Sequence, residues 1–187
     1  MKQATDELKT RARILLNALE KQTPAALLKV QQLSKRARRP QPDTYSLQLC
    51  LNLVSIEVGF RSWDHARTVL QGEAKIGDDM GQFWYDDKAC SVFMNAWFVE
   101  YDVALAFVQA RTDRFLLPYG TQFVVVEPPY LAVIGLEVDT PRWRTAGYDL
   151  MASYGSTDWQ VFVTQRLLAT RGNLHQPMQQ PPQQLPH

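Results

Sequence analysis

The segment QFVVVEPPYLAVIGL, residues 122–136, carries the strongest strand pattern in the chain. Phe123 and the three valines that follow it belong to the aromatic and β-branched types that favour strands. The two prolines in the middle of the segment indicate a connection. Because apolar residues resume after them, we predict a second strand over residues 130–136 and an antiparallel hairpin formed by the two strands.

The residues around this segment predict helices and further strands. Residues 115–117 are predicted as a short strand that ends in a turn at 118–120, and residues 92–99 as a buried strand. For residues 92–99, the alternative to a strand is a helix that begins at Asp87. Helices are expected at 101–111 and 158–169. This order of elements predicts an α+β fold, in which a small antiparallel sheet is packed by helices.

The first third of the chain predicts a four-helix module. Leucines and alanines recur at helical spacing from residue 5 to residue 21, and Pro24 opens a second helix. A third helix runs to about Val58, and a fourth runs from Trp63 to about Leu70. Between them, Gly59 ends one helix and Ser62 caps the next, and Gly72 closes the fourth. We therefore predict a structural corner at Gly59–Trp63.

The stretch from Leu8 to Leu70, with Gly59-Phe60-Arg61-Ser62-Trp63 near its end, resembles a small helical module with a GF-x-SW signature. That module stands at the front of many bacterial proteins, some of which carry glyoxalase-like or ankyrin-repeat domains behind it. The resemblance covers about the first third of the chain. It implies a helical bundle and a bacterial origin, and it brings no established chemistry with it.

Charge is distributed unevenly along the chain, although the net charge is only +1. Residues 1–73 hold 12 Lys and Arg against 7 Asp and Glu, a net charge of +5, and residues 74–187 hold 8 against 12, a net charge of −4. We predict a basic helical module at 1–73, a linker at 74–81, an acidic α+β domain at 82–175 and a disordered or extended Gln/Pro-rich tail at 176–187. The opposite charges indicate either a nucleic-acid contact or two parts that attract each other.

A basic cluster lies at the end of the second predicted helix and in the loop after it. Cations at a helix C-terminus complement the helix dipole, which explains part of the cluster. The remaining charges are candidates for contact with phosphates, with the acidic part of the chain or with a protein partner. No aromatic residues are interleaved with them, so base stacking is not indicated. The cluster consists of Lys29, Lys35, Arg36, Arg38 and Arg39.

Aromatic residues are concentrated between positions 83 and 101. Such a concentration is typical of the core of a small domain, and the alternative is a ligand pocket with a few polar contacts. The residues predicted to line such a pocket are Trp84, Tyr85, Asn95, Trp97, Tyr101, Tyr119 and Gln122.

Catalytic motifs for nucleotide binding, metalloprotease chemistry and serine hydrolysis are absent from the sequence. Cys90 is a weak catalytic candidate, because a cysteine thiol acts as a nucleophile only where a nearby base or cation helps it to form the thiolate. With 3 His and 2 Cys, the sequence predicts no metal site and no cofactor. It also contains neither a membrane-spanning apolar run nor a secretory signal, and we therefore expect a cytoplasmic protein.

These patterns favour a non-enzymatic bacterial interaction or accessory protein, with a protein partner, no membrane and an undetermined oligomeric state. The first alternative is a nucleic-acid-associated regulator that uses the basic cluster. The second is a small-molecule enzyme built on the aromatic pocket near Cys90.

Overall fold

The computed structural model describes residues 4–111 and 113–171. Within this range the chain forms helices and a small sheet, which confirms the predicted α+β fold. The helices are α1 (Ala4–Glu20), α2 (Pro24–Arg36), α3 (Leu47–Glu57), α4 (Trp63–Gln71), α5 (Asp87–Cys90), α6 (Tyr101–Gln109), α7 (Pro128–Val133), α8 (Pro141–Thr145) and α9 (Thr157–Ala169), with a 3₁₀ turn at Met151–Ser153. The strands are β1 (Ala96–Phe98), β2 (Phe115–Tyr119) and β3 (Gln122–Val126).

The four predicted helices of the first third are all present as α1–α4. One face of α1 is buried through Leu8, Ala12, Leu15 and Leu19, which recur every three or four residues. This face packs mainly against α3. Pro24 occupies the first turn of α2, where its missing N–H costs no helical hydrogen bond.

The predicted corner between α3 and α4 is confirmed. Gly59 has φ of +102°, a left-handed conformation that favours glycine. The Ser62 hydroxyl caps α4 by accepting a hydrogen bond from the backbone N–H of His65 at 3.2 Å. Phe60 and Trp63 are buried on either side of this cap, so the corner attaches both helices to the core.

The sheet is antiparallel and has the strand order β1-β3-β2. β2 and β3 form a hairpin with a two-residue turn, in which Tyr119 pairs with Gln122. β1 lies on the other side of β3, where Trp97 pairs with Val124. The outer edge of β2 is covered, because the N–H of Leu116 donates to the carbonyl of Tyr148 at 2.9 Å and the N–H of Leu150 donates to the carbonyl of Leu116 at 3.0 Å.

The predicted strand over 130–136 is wrong, and so is the predicted hairpin between this strand and the strand before it. Residues 128–133 form α7, with both prolines in its first turn. Proline is pre-organised for this position, and a short apolar run fits a buried helix as well as a strand. The hairpin partner of β3 is β2, which precedes it in sequence. β2 continues through Pro118 and Tyr119, where the sequence pattern predicts a turn.

The region of residues 87–99 combines both of its alternatives. The predicted helix from Asp87 is confirmed as the short α5, capped by the Asp86 carboxylate, which accepts from the N–H groups of Lys88 and Ala89 at 3.0 Å. Only Ala96–Phe98 of the predicted strand 92–99 pairs in the sheet. The three-residue length of β1 leaves apolar side chains exposed on both sides of it, Val92, Met94 and Val99.

The last helix packs against helices from the front of the chain and against the 3₁₀ turn. α9 packs against α1 and α4, and apolar residues from both parts of the chain form one buried cluster. In the segment predicted as a linker, Met80 is buried and its N–H donates to the carbonyl of Gly120 at 2.8 Å. The predicted tail at 176–187 lies outside the described residues. Among the helices that are described, none has the length and apolar character needed to cross a membrane.

Candidate functional site

A basic cleft lies where the end of α2, the α3–α4 corner and the β2–β3 turn meet. Its volume is about 590 Å³. The charged side chains that line it are Arg36, Arg39, Arg61 and Asp79, and we use the name basic cleft for this set. Backbone of Gly59, Gly81 and Gly120 forms other parts of its wall.

The end of α2 brings two arginines of the predicted cluster to the same cleft. Ala37 caps the helix, and Arg38 takes a left-handed conformation with φ of +53°. The chain therefore folds back, and the N–H of Arg39 donates to the carbonyl of Ser34 at 2.9 Å. Arg36 and Arg39 consequently line the cleft, whereas Lys35 and Arg38 are exposed beside it.

The charge of the cleft is not compensated within the described part of the chain. Arg36 and Arg39 are exposed and form no ion pair with any described residue. Asp79 pairs instead with Arg61, at 3.1 Å between Oδ2 and Nε. The lining side chains therefore carry three positive charges against one negative charge.

Lys29, the remaining member of the predicted cluster, has a different environment. Its Nζ lies 2.8 Å from Oε1 of Glu57, which connects α2 to α3. Both side chains are about one-quarter exposed, at 25% each. Lys29 thus contributes to the packing of the helices and does not line the cleft.

Sequence reasoning missed Arg61 and Asp79, which come together only through folding. His65 holds them in place, because its Nδ1 accepts from the N–H of Arg61 at 3.1 Å and its Nε2 lies 2.6 Å from the carbonyl oxygen of Asp79. This pattern assigns the proton of the neutral imidazole to Nε2. Arg61 occupies the variable position of the Gly-Phe-x-Ser-Trp segment, and this was the only sequence signal for it.

Three residues of the predicted aromatic pocket form a surface cluster, which we call the aromatic triad: Tyr85, Trp97 and Tyr119. The ring centroids of Trp97 and Tyr119 are 5.0 Å apart, those of Tyr85 and Tyr119 5.4 Å, and those of Tyr85 and Trp97 6.3 Å. Trp97 is 44% exposed. Burial, with a smaller effect of the negative charge of Asp87, raises the pKa of Tyr119.

The other predicted pocket residues do not join the triad. Trp84 is fully buried and packs edge-to-face on Trp159, with centroids 5.4 Å apart. Tyr101 packs on Phe123 and donates from its hydroxyl to Oδ2 of Asp149 at 2.5 Å. Gln122 is exposed beside Tyr119 at the hairpin end, and Asn95 is half-buried just before β1.

Cys90 lies in the core at the end of α5 and is only 1% exposed. Its Sγ accepts from the N–H of Asp86 at 3.4 Å. The nearby cation, Arg166, directs its guanidinium at the backbone carbonyls of Phe83, Tyr85 and Ile134. In the part of the chain that the structure describes, no group of three or more His, Cys, Asp or Glu side chains is arranged to hold a metal ion.

Comparison of the chain with protein-family models, with curated proteins and with solved structures finds no match. The resemblance of residues 8–70 to the GF-x-SW module therefore stays a prediction.

Proposed function

We propose that this protein is a non-enzymatic interaction protein, and that it binds an anionic segment of its partner in the basic cleft. The observation that carries the proposal is the position of Arg36 and Arg39. Both guanidinium groups are exposed on a concave surface and have no carboxylate partner among the described residues.

The chemistry of the cleft supports an anionic ligand. A guanidinium group presents planar N–H donors that match the oxygens of a carboxylate or a phosphate. Arg36 and Arg39 come from the end of α2 and Arg61 from the α3–α4 corner, so a ligand in the cleft would meet cations from two elements. Lys35 and Arg38 stand beside the opening and add to the positive potential that would attract such a ligand.

A nucleic-acid-associated regulator is the second candidate, and it is favoured because four members of the basic cluster, Lys35, Arg36, Arg38 and Arg39, are exposed and form no ion pair with a described residue. Among the residues that line the cleft, Asp79 is the only acidic one, and it is already paired with Arg61. The one aromatic residue in the lining, Phe60, is 3% exposed. Since it offers no ring for base stacking, contact with nucleic acid would be made through phosphates and would carry little sequence specificity.

An enzyme built on Cys90 is less well supported. The Cys90 thiol is buried in the core, and the donors of the nearby Arg166 are occupied by carbonyl oxygens. A nucleophilic cysteine needs access to its substrate and a neighbour that stabilises the thiolate. Cys90 has neither of these in this conformation.

The experiment is a titration of the protein with fluorescently labelled duplex DNA and single-stranded RNA at several salt concentrations. The test variant is Arg36→Ala/Arg39→Ala. Its matched control is Arg13→Ala/Lys21→Ala, which removes the same charge from two exposed residues on and just after α1. If the cleft contacts DNA phosphates, the slope of log K against log salt falls in magnitude by about 2 in the test variant, because each lost contact contributes about 0.9. The control variant keeps the slope of the unchanged protein.

Absence of binding to both nucleic acids at low salt would reject the nucleic-acid candidate. The same three proteins would then be titrated with a labelled polyglutamate peptide, which represents an acidic protein segment. Binding that the test variant loses and the control variant keeps would support the cleft as a protein-contact site. Equal affinity of both variants for every anion would overturn the proposed function.

A further inference from the structure

The outer edge of β1 is open, whereas the outer edge of β2 is covered. β1 is an outermost strand of the sheet, and among the described residues no other strand pairs with its free side. The free side of β2 carries the hydrogen bonds that join Leu116 to Tyr148 and Leu150. The chain therefore protects one edge of its sheet and leaves the other edge unpaired within the described residues.

The strand register identifies the backbone groups of β1 that point outward. In an antiparallel sheet, the N–H and C=O of one residue point to the same side, and this side alternates along the strand. Leu116 uses both groups at the outer edge of β2, so those of Val125, its partner on β3, point toward β1, where Ala96 pairs with them. The N–H and C=O of Trp97, the next residue of β1, therefore point away from the sheet.

These outward groups of Trp97 form no backbone hydrogen bond with a described residue outside the sheet. Natural proteins usually blunt such an edge with lysine, proline or a β-bulge. β1 reads Ala-Trp-Phe and pairs with β3 in an unbroken register, so it has none of these devices. The edge can therefore accept a further strand, since its main-chain donor and acceptor match those of an extended chain.

Apolar side chains at this edge are exposed as well. Trp97 lies in the strand, and Val92, Met94 and Val99 lie beside it. A strand that pairs at the edge places its own side chains next to Trp97 on the same face of the sheet. If those side chains are apolar, both strands lose exposed apolar surface, which stabilises the pair. The edge therefore favours a partner strand that is itself apolar.

Charge selects the same kind of strand. Residues 91–99 contain no Lys, Arg, Asp or Glu. A charged partner strand would lose hydration at this edge without meeting an opposite charge. β1 of a second copy is uncharged and apolar, and it brings an outward N–H and C=O of its own. We propose that β1 pairs with β1 of a second copy of this chain, antiparallel and about a two-fold axis at Trp97.

Two-fold symmetry makes this pairing self-complementary. The N–H of Trp97 in each copy donates to the C=O of Trp97 in the other, and the two indoles lie side by side as a cross-strand aromatic pair. Glu100, three positions after Trp97, lies opposite Met94 of the second copy, so the two carboxylates stay apart. A parallel pairing would place them next to each other. The pairing does not rest on the proposed function, since β1 contributes no residue to the basic cleft.

Sedimentation equilibrium of the full chain, between about 1 µM and about 500 µM, measures the pairing. The paired edge is short, so we expect a dissociation constant of about 10 µM. The mass should then rise from that of one chain toward that of two chains. A single-chain mass at every concentration would overturn the proposal. Growth well beyond two chains would also overturn it, because a two-fold pair uses the open edge of both copies.

Trp97→Lys and Trp97→Glu test the position of the two-fold axis. Each variant alone places two like charges opposite each other, and we expect its dissociation constant to rise by more than about tenfold. An equimolar mixture pairs opposite charges and should associate about tenfold more tightly than either variant alone. The control is Ile14→Lys, at an exposed apolar residue of α1, which should associate like the unchanged protein. Unchanged association of both Trp97 variants, or a mixture no tighter than its components, would contradict the proposed axis.

Hydrogen exchange of the unchanged protein tests the bond at Trp97 without a substitution. We expect the Trp97 amide to exchange about tenfold more slowly at about 500 µM than at about 1 µM, because most chains are paired at the higher concentration. The amides of Ala96 and Phe98 point toward β3 and serve as internal controls, since pairing leaves their hydrogen bonds unchanged. Mass spectrometry with fragmentation measures all three. Equal exchange of the Trp97 amide at both concentrations would overturn the proposal, even in a protein that forms dimers.

Discussion

The indole Nε1 of Trp159 donates a hydrogen bond to the carbonyl oxygen of Leu70 at 3.1 Å. Leu70 lies in the last turn of α4, where carbonyl groups have no partner within the helix. The same oxygen accepts from Nε2 of Gln160 at 2.8 Å. The basic first third of the chain is thus joined to the acidic remainder by buried contacts with α9. Since this attachment does not use Arg36 or Arg39, those two cations remain available to an external anion.

The Trp159→Phe substitution tests this attachment, because it removes the Nε1–H donor and keeps an aromatic ring. We expect the free energy of unfolding to fall by about 2 kcal/mol, from the lost hydrogen bond and the smaller buried ring. Urea denaturation followed by far-UV circular dichroism measures the change. Trp97→Phe, at the exposed tryptophan, is the control and should change the value by less than about 0.5 kcal/mol. Equal effects of the two substitutions would contradict a role for Trp159 in joining the two parts.

Gly72 and Gly155 bring the backbone at the end of α4 close to the backbone of the turn before α9. A Cβ atom on Gly72 would lie 2.2 Å from the Cα of Gly155, and Gly72 has φ of +80°. Gly72→Ala therefore combines a left-handed conformation with a backbone clash, and we expect it to lower the free energy of unfolding by more than about 3 kcal/mol. Thermal denaturation measures this loss.

Gly77→Ala is the matched control for Gly72→Ala. Gly77 has φ of +93°, but a Cβ at this position would meet nothing within 4 Å. Gly77→Ala therefore measures the cost of the left-handed conformation alone, which is about 1 kcal/mol. A loss at Gly72 no larger than the loss at Gly77 would show that α4 and the turn can move apart without cost.

Arg166 on α9 holds the segment before α5 and the end of α7 together, and it has no carboxylate partner among the described residues. Its guanidinium donates to the carbonyls of Phe83 at 2.9 Å, Ile134 at 3.1 Å and Tyr85 at 3.4 Å. Burial lowers the pKa of Arg166. Arg166→Met would leave three carbonyls without their donor, and we expect the free energy of unfolding to fall by about 3 kcal/mol. Urea denaturation measures the free energy of unfolding of Arg166→Met and of Arg144→Met, which replaces an exposed arginine on α8. The fall should be clearly larger in Arg166→Met than in Arg144→Met.

Local sequence signals predicted the parts of this fold that are determined locally. The start of α2 at Pro24, the Ser62 cap and the left-handed Gly72 each depend on the conformational preference of one residue and its immediate neighbours. The nature of residues 130–136 depends on tertiary packing instead. A six- or seven-residue apolar run satisfies the period of a buried helix and that of a buried strand alike.

The candidate sites were predictable only in part, for the same reason. The charge run at Lys35–Arg39 identified part of the cleft lining. The density of aromatic residues favoured a domain core, and only the alternative interpretation, a ligand pocket, grouped Trp97 with Tyr85 and Tyr119. Arg61 and Asp79 are separated by 18 positions, and their pairing requires the α3–α4 corner and the His65 hydrogen bonds. The contact of Tyr119 with Tyr85 likewise requires the strand register.

Glu7 on α1 gives a pH-dependent contribution to stability. Hydrogen bonding from Arg171 is the largest of the effects that lower the pKa of Glu7, and Arg11 adds to it with a hydrogen bond from its Nε at 2.8 Å. A carboxylate with a lowered pKa in the folded state stabilises the fold above its unfolded pKa, and this contribution is lost as the pH falls through the folded value. We therefore expect Glu7→Gln to lower the free energy of unfolding by about 1 kcal/mol at pH 7. The difference in the free energy of unfolding between Glu7→Gln and the unchanged protein should disappear at low pH, where Glu7 is protonated in the folded and in the unfolded state.

Urea denaturation of the unchanged protein and of Glu7→Gln between pH 2 and pH 7 measures this dependence. Asp6→Asn is the control, because Asp6 pairs with Lys9 within one turn of α1 and both side chains are about half exposed, at 44% and 50%. An exposed pair of this kind contributes less than about 0.5 kcal/mol. Glu7 connects α1 to Arg171, just beyond the end of α9, so its loss should also weaken the contact between these two helices. A stability difference for Glu7→Gln that is the same at every pH would show that the loss arises from packing and not from the charge of Glu7.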